Sequence, residues 1–364
     1  MKSGSCLRRF SLPSLFALLC LWMMFGALSF AQTQDIPPPK NPDTGPQINT
    51  DVGASPNLNP APKPEDTPAA TLKVNVDVVN LLFNTKDKGG KLVPDLKKED
   101  FLVTEDGKPQ TIKFFQADSN LPLTLGILLD TSYSQERVLP TEKEVGAEFL
   151  QQILRKQDEA FLISFDVNVD LLQDYTNSGR DIRAGMDAAK INGGGVVGGI
   201  PGVGEGPVPI SHPKGTLLYD AVYLAAHDKL RSEVGRKALI LLTDGEDVGS
   251  QLKLQDALEA AQKSDTIIYV LLISDRGFLS SGSGEGLMRK LADSTGGRVI
   301  DVGSNQEKLK KAFDQISEEL RSQYSIGYTP TNDKHDGSFR HVEIKSKEGY
   351  KIQARKGYYA ASGS

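Results

Sequence analysis

The middle of the chain contains long runs of consecutive apolar residues, in which apolar and polar positions do not alternate. Four of them, "LTLGILLD", "AFLISFD", "KALILLTD" and "TIIYVLLIS", lie within residues 121–321 and are separated by amphipathic helical patterns. Strands that are buried on both faces have continuous apolar sequences, and helical segments between them predict crossovers that cover those faces. The central region is therefore predicted to be an α/β domain with a doubly wound, mainly parallel, Rossmann-like sheet.

The flanks show a different pattern, in which apolar and polar positions alternate over residues 72–120 and 322–364. Asp106-Gly107 is predicted to be a hairpin turn between two such strands. Neither flank has enough strands to be stable alone, so we predict that both form one small β-sandwich-like domain, with the α/β domain inserted in it. The segment "NDKHDGSFRHVE" (residues 332–343) has Lys334 at a ligand position of a calcium loop, and we predict a hairpin there instead.

The amino-terminal region is predicted to contain a signal peptide and a spacer. Residues 1–31 combine basic residues, an apolar run and a small-residue "SFA", as in a cleavable secretory signal. An uncleaved membrane anchor is the alternative, since the run is near the lower limit for a bilayer span. Residues 32–71 are rich in Pro and Asn and predict a disordered spacer. We expect secretion, or retention in a periplasm or cell envelope, without a stable transmembrane segment after cleavage.

Composition and missing motifs exclude several classes of function. The 364 residues carry a formal net charge of −5 and no long basic run, so nucleic acid is not an expected partner. The four histidines form no close ligand pair for zinc. Neither a nucleophile elbow nor a Walker loop occurs. Since Cys6 and Cys20 both lie in the predicted signal, the mature chain has no thiol nucleophile and no disulfide, and we expect no enzymatic activity.

Oxygen-bearing side chains follow two of the predicted central strands. "LLDTSYSQE" places Asp130, Ser132 and Ser134 at alternate positions, and "LLTDGED" places Asp244 at the end of a later strand. Thr216 lies at a predicted helix start, after a long Gly-rich loop. In open α/β sheets, ligands bind beyond the carboxyl ends of the strands, at a topological switch point. These five residues are therefore candidates for one binding site.

Two other interpretations of "DTSYSQE" compete with a binding site. Ser132 and Gln135 match a capping box at a helix start. Alternatively, Asp130 resembles the nucleophile of haloacid-dehalogenase-like phosphotransferases, and "LLTDGED" is weakly similar to the acidic turn that these enzymes carry later in the chain. That chemistry needs a second acid two residues after the nucleophile, and Ser132 occupies this position. The proton-transfer role is unfilled, which makes the phosphotransferase the weaker alternative.

Taken together, the five candidates resemble the metal-ion-dependent adhesion site (MIDAS) of von Willebrand factor A (VWFA) domains. That site has an Asp-x-Ser-x-Ser after the first strand, a Thr from a middle loop and an Asp after the fourth strand. "GTLLYDA" and "LLTDGED" match its usual surroundings, and the resemblance covers residues 121–321. In the flanks, "LKKEDFLVTEDGKPQTIKFF" and the terminal "GYYA" resemble a group of secreted bacterial VWFA-related proteins.

The resemblance implies a cofactor and a kind of partner. It implies Mg²⁺, with Mn²⁺ or Ca²⁺ as alternatives, held by Asp130, Ser132, Ser134 and Thr216, with Asp244 acting through water. Neutral hydroxyl ligands leave the ion electrophilic, so its open position suits a carboxylate from a partner protein. The expected function is metal-dependent protein binding, in adhesion or complex assembly. A metal-free structural envelope protein is the main alternative.

Two features beside the candidate residues have competing interpretations. Glu246 and Asp247 are predicted to be first-turn acids of the helix that follows "LLTDGED", not further ligands. The Gly-rich loop, residues 191–213, is expected either to carry specificity at the metal face or to be a surface insertion.

Overall fold

The computed structural model describes residues 78–117, 121–191, 215–273 and 283–362. The predicted signal peptide (1–31), the predicted spacer (32–71) and nearly all of the Gly-rich loop lie outside the described residues. Among the residues that are described, no helix combines the length and apolar character that a membrane span requires.

Strands flank a central region in which strands and helices alternate. The first four strands are β1 (Val79–Lys86), β2 (Phe101–Glu105), β3 (Lys108–Gln110) and β4 (Ile112–Gln116). The central strands are β5 (Leu123–Asp130), β6 (Glu159–Phe165), β7 (Val169–Thr176), β8 (Arg236–Thr243), β9 (Thr266–Leu272) and β10 (Val299–Asp301). The helices are α1 (Leu139–Ile153), α2 (Gly179–Ala188), α3 (Leu218–Leu224), α4 (Leu254–Lys263), α5 (Ser283–Thr295) and α6 (Gln306–Arg321). The final strands are β11 (Tyr324–Tyr328), β12 (Phe339–Ser346), β13 (Lys351–Ala354) and β14 (Gly357–Tyr359).

The central strands form one six-stranded sheet in the order β10-β9-β8-β5-β6-β7. All neighbours pair in parallel except β6 and β7. Every residue of β5 and β9 is buried, because α1, α2 and α6 pack on one face and α3, α4 and α5 on the other. The predicted doubly wound, mainly parallel α/β fold is confirmed.

The flanking strands form two further sheets, in the orders β13-β1-β11-β4 and β14-β12-β2-β3. Each sheet combines strands from before and after the central region. Their facing residues make one core, in which Phe83 and Tyr324 of the first sheet meet Phe101 of the second. The predicted β-sandwich-like arrangement of the two flanks is thus confirmed. The turn at Asp106-Gly107 joins β2 to β3 as a hairpin, with φ values of 47° and 78° at its two residues.

One connection differs from its prediction. The hairpin predicted over residues 332–343 is wrong, because β11 before this segment and β12 after it belong to different sheets. Tyr328 of β11 and Val342 of β12 are both buried in the sandwich core. The segment therefore crosses between the layers, and the alternating pattern that predicts both strands does not specify which strands they pair with.

Candidate metal-ion site

The carboxyl ends of β5 and β8 bring two candidate carboxylates to one edge of the central sheet. The strands are parallel neighbours, with Leu129 opposite Leu242. Asp130 is the last residue of β5, and Asp244 directly follows β8. Asp130 is completely buried, whereas Asp244 is partly exposed. The pair lies at the edge of the sheet where proteins of this architecture bind ligands.

The turn after β5 collects hydroxyl groups around Asp130. Ser132 N–H donates to Asp130 Oδ1 at 3.0 Å, and Thr243 Oγ1 donates to Asp130 Oδ2 at 2.7 Å. The hydroxyls of Ser132 and Ser134 lie 3.0 Å apart and are hydrogen-bonded. Ser132 precedes a short 3-10 helix (Tyr133–Gln135), but its side chain makes no capping hydrogen bond. The capping-box interpretation of Ser132 is therefore wrong, and the structure brings Asp130, Ser132 and Ser134 together directly.

Thr216 is positioned by backbone pairing. Its N–H donates to the Val248 carbonyl at 2.9 Å, and Val248 N–H donates to the Thr216 carbonyl at 3.0 Å. This bridge ties the segment before α3 to the loop after β8 that begins with Asp244. Within the described residues, neither the Thr216 hydroxyl nor the Asp244 carboxylate hydrogen-bonds to Asp130; Asp244 Oδ1 accepts from Glu246 N–H at 3.1 Å. These two candidates lie on the loops that follow β8 and precede α3, and Asp244 interacts with Asp130 through its charge.

Asp166 connects the turn after β5 to the segment that carries Thr216. It directly follows β6, and its Oδ2 accepts a hydrogen bond from Thr131 Oγ1 at 2.9 Å. Its main-chain carbonyl accepts from Leu217 N–H at 2.8 Å. Asp166 is not among the five residues predicted from the sequence, although "AFLISFD" ends in it and the neighbouring β5 ends in Asp130. A strand-terminal Asp beside another one is a signal that could have identified it.

The loop after β8 is held by two carboxylates, of which Asp220 is buried and Asp247 is half-buried. Asp220 is completely buried, and its two oxygens accept from the N–H groups of Gln251 and Leu252, each at 2.9 Å. Asp247 Oδ1 accepts from Tyr219 N–H at 3.2 Å. The prediction that Asp247 and Glu246 are first-turn acids is wrong, because α4 begins only at Leu254. Asp247 instead links the loop to the start of α3. The loop between β8 and α4 is longer than predicted, so the Asp247 carboxylate lies outside α4 and can accept a hydrogen bond from the main chain of α3.

The ionised form of Asp130 is disfavoured by its surroundings. Burial raises the pKa of Asp130 to about 7, and the negative charge of Asp244 adds to the increase. The hydrogen bonds from Ser132 and Thr243 act in the opposite direction but do not cancel it. Burial and the charge of Asp244 outweigh these hydrogen bonds, and no positively charged group is among the causes of the pKa shift. Asp130 is thus a carboxylate without a compensating positive charge.

Glu142 is a third carboxyl group whose charge interacts with this pair, and it is not among the residues predicted from the sequence. It lies in the first turn of α1 and is 1% exposed. Burial raises its pKa well above the usual range, and the charges of Asp130 and then Asp244 raise it further. In the helical pattern Glu142 falls on the same face of α1 as Leu139, Val145 and Phe149, but a single acid on that face does not by itself show that its side chain is buried.

The oxygen-bearing side chains of the five candidate residues fit a small divalent cation. Asp130, Ser132, Ser134, Thr216 and Asp244 offer only oxygen atoms, which are the ligands that Mg²⁺ takes in proteins. A bound cation would supply the positive charge that Asp130 lacks. The part of the chain that the structure describes contains no group of three or more His, Cys, Asp or Glu side chains arranged to hold a metal. An ion at this edge would therefore depend on the hydroxyl ligands as well as on the two carboxylates.

Comparisons with known proteins give structural similarity and no sequence match. A scan against protein-family models found no matching family. A search of curated proteins found no match either. Among solved structures, the conserved hypothetical protein BatB from Bacteroides thetaiotaomicron is 19% identical, with 55% of this chain and 100% of that chain covered and a TM-score of 0.41.

Two further solved structures cover similar shares of the chain. Proximal thread matrix protein 1 from the mussel byssus, with a zinc occupied MIDAS motif, is 18% identical, with 59% of this chain covered and a TM-score of 0.43. The chain spans about half of that protein, 49% of its length. The SpRpn10 VWA domain is 11% identical, with 54% of this chain and 95% of that chain covered and a TM-score of 0.38. Identity and TM-score are low throughout, so the roles of individual residues rest on the geometry of the site.

Proposed function

We propose that this protein is an exported module that binds a partner protein through a divalent cation. The observation that carries the proposal is the fully buried Asp130 carboxylate, which lies beside the charge of Asp244 and receives hydroxyl and main-chain hydrogen bonds. No ion pair among the described residues includes either carboxylate. A cation at this position would remove the unfavourable effect of two neighbouring negative charges.

We assign each of the five candidate residues either direct or water-mediated coordination of the ion. Asp130, Ser132 and Ser134 would bind it from the turn after β5, and Thr216 from the segment before α3. Asp244 would act through water. Mg²⁺ is the proposed ion, with Mn²⁺ or Ca²⁺ as alternatives, since all three take oxygen ligands. Because most of these ligands are neutral hydroxyls, a partner carboxylate could complete the coordination of the ion.

A binding role suits these residues better than catalysis. The hydroxyl of Ser132 stands where a phosphotransferase of the haloacid-dehalogenase type needs an acid, so no group would move the proton. Ser132 is hydrogen-bonded to Ser134 and not to a histidine or lysine base. The remaining alternative is a structural envelope protein that binds no metal. Titration with metal ions separates this alternative from the proposal.

The first test is calorimetric titration of Mg²⁺ and Mn²⁺ into metal-stripped protein comprising residues 32–364. We expect saturable binding at one site, and loss of that binding in Asp130→Ala. Asp187→Ala is the matched control, because it removes an exposed carboxylate from α2. Binding that survives Asp130→Ala unchanged would contradict the assignment of the site, and absence of binding in the unmodified protein would favour the structural alternative.

The partner carboxylate can be tested with a small probe. Mn²⁺ accelerates the relaxation of water protons, and this effect falls when a carboxylate displaces water from the ion. We expect glutarate to lower the relaxivity of the Mn²⁺-loaded protein with a saturable dependence on concentration. A relaxivity that glutarate does not change, in a protein that binds Mn²⁺, would remove the open coordination position from the proposal.

A further inference from the structure

Glu142 is a buried carboxyl group for which the described residues offer no partner. Neither of its two oxygens has a hydrogen bond, although the side chain is only 1% exposed. Buried polar groups are nearly always hydrogen-bonded, and buried charges are nearly always paired. The other buried positions of α1 are mostly apolar, with Val145, Phe149 and Leu150 packed in the core against the central sheet. An apolar residue would satisfy packing at this position, so packing does not explain the glutamate.

The position of Glu142 relates it to the candidate metal-ion site. Helix α1 follows directly from the turn that carries Ser132 and Ser134, and Glu142 lies in its first turn. The charged groups that act on Glu142 are Asp130 and Asp244. No ion pair in the described residues includes Glu142. The two observations, an orphaned buried carboxyl group and its two acidic neighbours, both indicate a cation.

The formal charge of the site depends on whether Glu142 is included. Asp130 and Asp244 alone balance a divalent ion, whereas the three carboxylates together exceed its charge by one. A third negative group therefore strengthens retention of the cation and makes the loaded site less attractive to an anionic partner group. It does so without being a ligand, because the described residues contain no cluster of three acidic side chains in metal-holding geometry.

We propose that Glu142 is the third carboxylate of the cation site, acting from α1 outside the ligand set to strengthen cation binding and to weaken capture of a partner carboxylate. This inference rests on the proposed divalent-cation site. With this third carboxylate, the protein would keep its cation in the absence of a partner, which the five ligands of the resembled site do not by themselves imply. It also implies that a partner must offer a carboxylate in a favourable geometry to overcome the excess negative charge.

The test compares the affinity of Mn²⁺ for four forms of the metal-stripped protein by calorimetry. Glu142→Gln keeps the shape of the side chain and removes its charge, and we expect the Kd for Mn²⁺ to increase by about tenfold or more, as for other residues that support metal ligands. Glu142→Asp keeps the charge, and we expect it to restore most of the affinity. Glu144→Gln is the control, because it makes the same change at an exposed position of the same helix.

A second measurement separates an electrostatic role from a structural one. If Glu142 acts by charge, Glu142→Gln should not lower the melting temperature of the metal-free protein, and only the increase produced by Mn²⁺ should become smaller. If Glu142 only supports packing, the variant should melt at a lower temperature with and without the ion. Glutarate should also bind to the Mn²⁺-loaded Glu142→Gln variant more tightly than to the unmodified protein, by about threefold or more.

Failure of this inference is distinguishable from failure of the proposed function. If the unmodified protein binds no Mn²⁺, both are overturned. If Mn²⁺ binding requires Asp130 but has the same Kd in Glu142→Gln and Glu144→Gln, the proposed function stands and the role of Glu142 is overturned. Should Glu142→Gln not fold, as judged by circular dichroism, Glu142→Met provides an uncharged side chain of similar length for the same comparison.

Discussion

At the scale of single residues, the candidate site is a set of acidic groups in an environment that disfavours charge. Asp130 has no exposed surface, and its hydrogen bonds from Ser132 and Thr243 only partly offset burial. Glu142 has no hydrogen bond at all. When ionised, such groups contribute unfavourably to the stability of the metal-free protein, and their negative charge becomes favourable only when a cation is bound beside them.

The pKa of Asp130 predicts how the stability of the metal-free protein depends on pH. The pKa is about 7 in the folded protein and about 3.9 in an unfolded chain. Between these values the folded state binds more protons, so Asp130 makes the free energy of unfolding fall as the pH rises from about 4 to about 7. We expect urea denaturation to show this fall in the unmodified protein and a smaller one in Asp130→Asn. Identical pH profiles for the two proteins would contradict the burial of an uncompensated carboxyl group.

At the scale of elements, the edge of the sheet is assembled from loops that are fastened to one another. The turn after β5 is tied by Thr131 and Asp166 to the segment before α3. That segment is tied by the Thr216–Val248 bridge to the loop after β8. Asp220 of α3 then holds the far end of the same loop. The candidate ligands are thus positioned by neighbouring side chains and main-chain pairing, as precise metal sites require.

The loop network predicts the effect of removing Asp220. Asp220→Ala removes two hydrogen bonds that a completely buried carboxylate accepts from the N–H groups of Gln251 and Leu252, and we expect a loss of about 3 kcal/mol in the free energy of unfolding. Cation affinity should fall as well, because the loop that carries Asp244 loses its anchor. Urea denaturation and Mn²⁺ titration measure the two effects.

The control for Asp220→Ala is Asp228→Ala, at an exposed position of the helical segment that continues α3. We expect its stability to remain within about 0.5 kcal/mol of the unmodified protein. Unchanged Mn²⁺ affinity in a folded Asp220→Ala variant would show that the loop is held without this carboxylate.

At the scale of the whole molecule, the central sheet and the sandwich are joined by a buried ionic cluster around Glu319. Glu319 of α6 is 3% exposed, and its Oε1 accepts from Lys86 Nζ and Arg298 Nε, each at 2.8 Å. Its Oε2 accepts from Gln353 Nε2 at 3.1 Å. Lys86 belongs to β1 and Gln353 to β13, so one carboxylate connects the last central helix to strands of both flanks.

The ionic cluster predicts a strong effect of neutralising Glu319. Glu319→Gln leaves Lys86 and Arg298 without their carboxylate, and we expect a loss of about 3 kcal/mol in the free energy of unfolding. Glu318→Gln, at the adjacent exposed position of α6, should change it by less than about 0.5 kcal/mol. Equal stability of the two variants would mean that the cluster contributes little to the connection between the two parts of the fold.

Much of the architecture and part of the site could be predicted from local patterns. The run "LTLGILLD" predicts β5 because a strand buried on both faces needs apolar residues at every position. Asp130 stands out because it interrupts that run at its carboxyl end. Glu142 was not found, since a single acid in an amphipathic helix is usually solvent-exposed and only packing shows that it is buried. The prediction for Asp247 was wrong because an acidic residue after a strand does not show how many residues separate it from the next helix, and α4 begins only at Leu254.

The sequence by itself determined the class of each segment, since hydrophobic periodicity reflects which faces of a strand or helix avoid water. It also determined the chemistry of the candidate ligands and their order along the chain. Only the tertiary structure decided that β11 and β12 lie in different sheets and that Asp166 and Asp220 hold the loops. It alone placed Glu142 beside Asp130 and Asp244. The physical reason is that these relations are contacts between residues far apart in the chain, which depend on packing and hydrogen bonding in three dimensions and have no local sequence pattern.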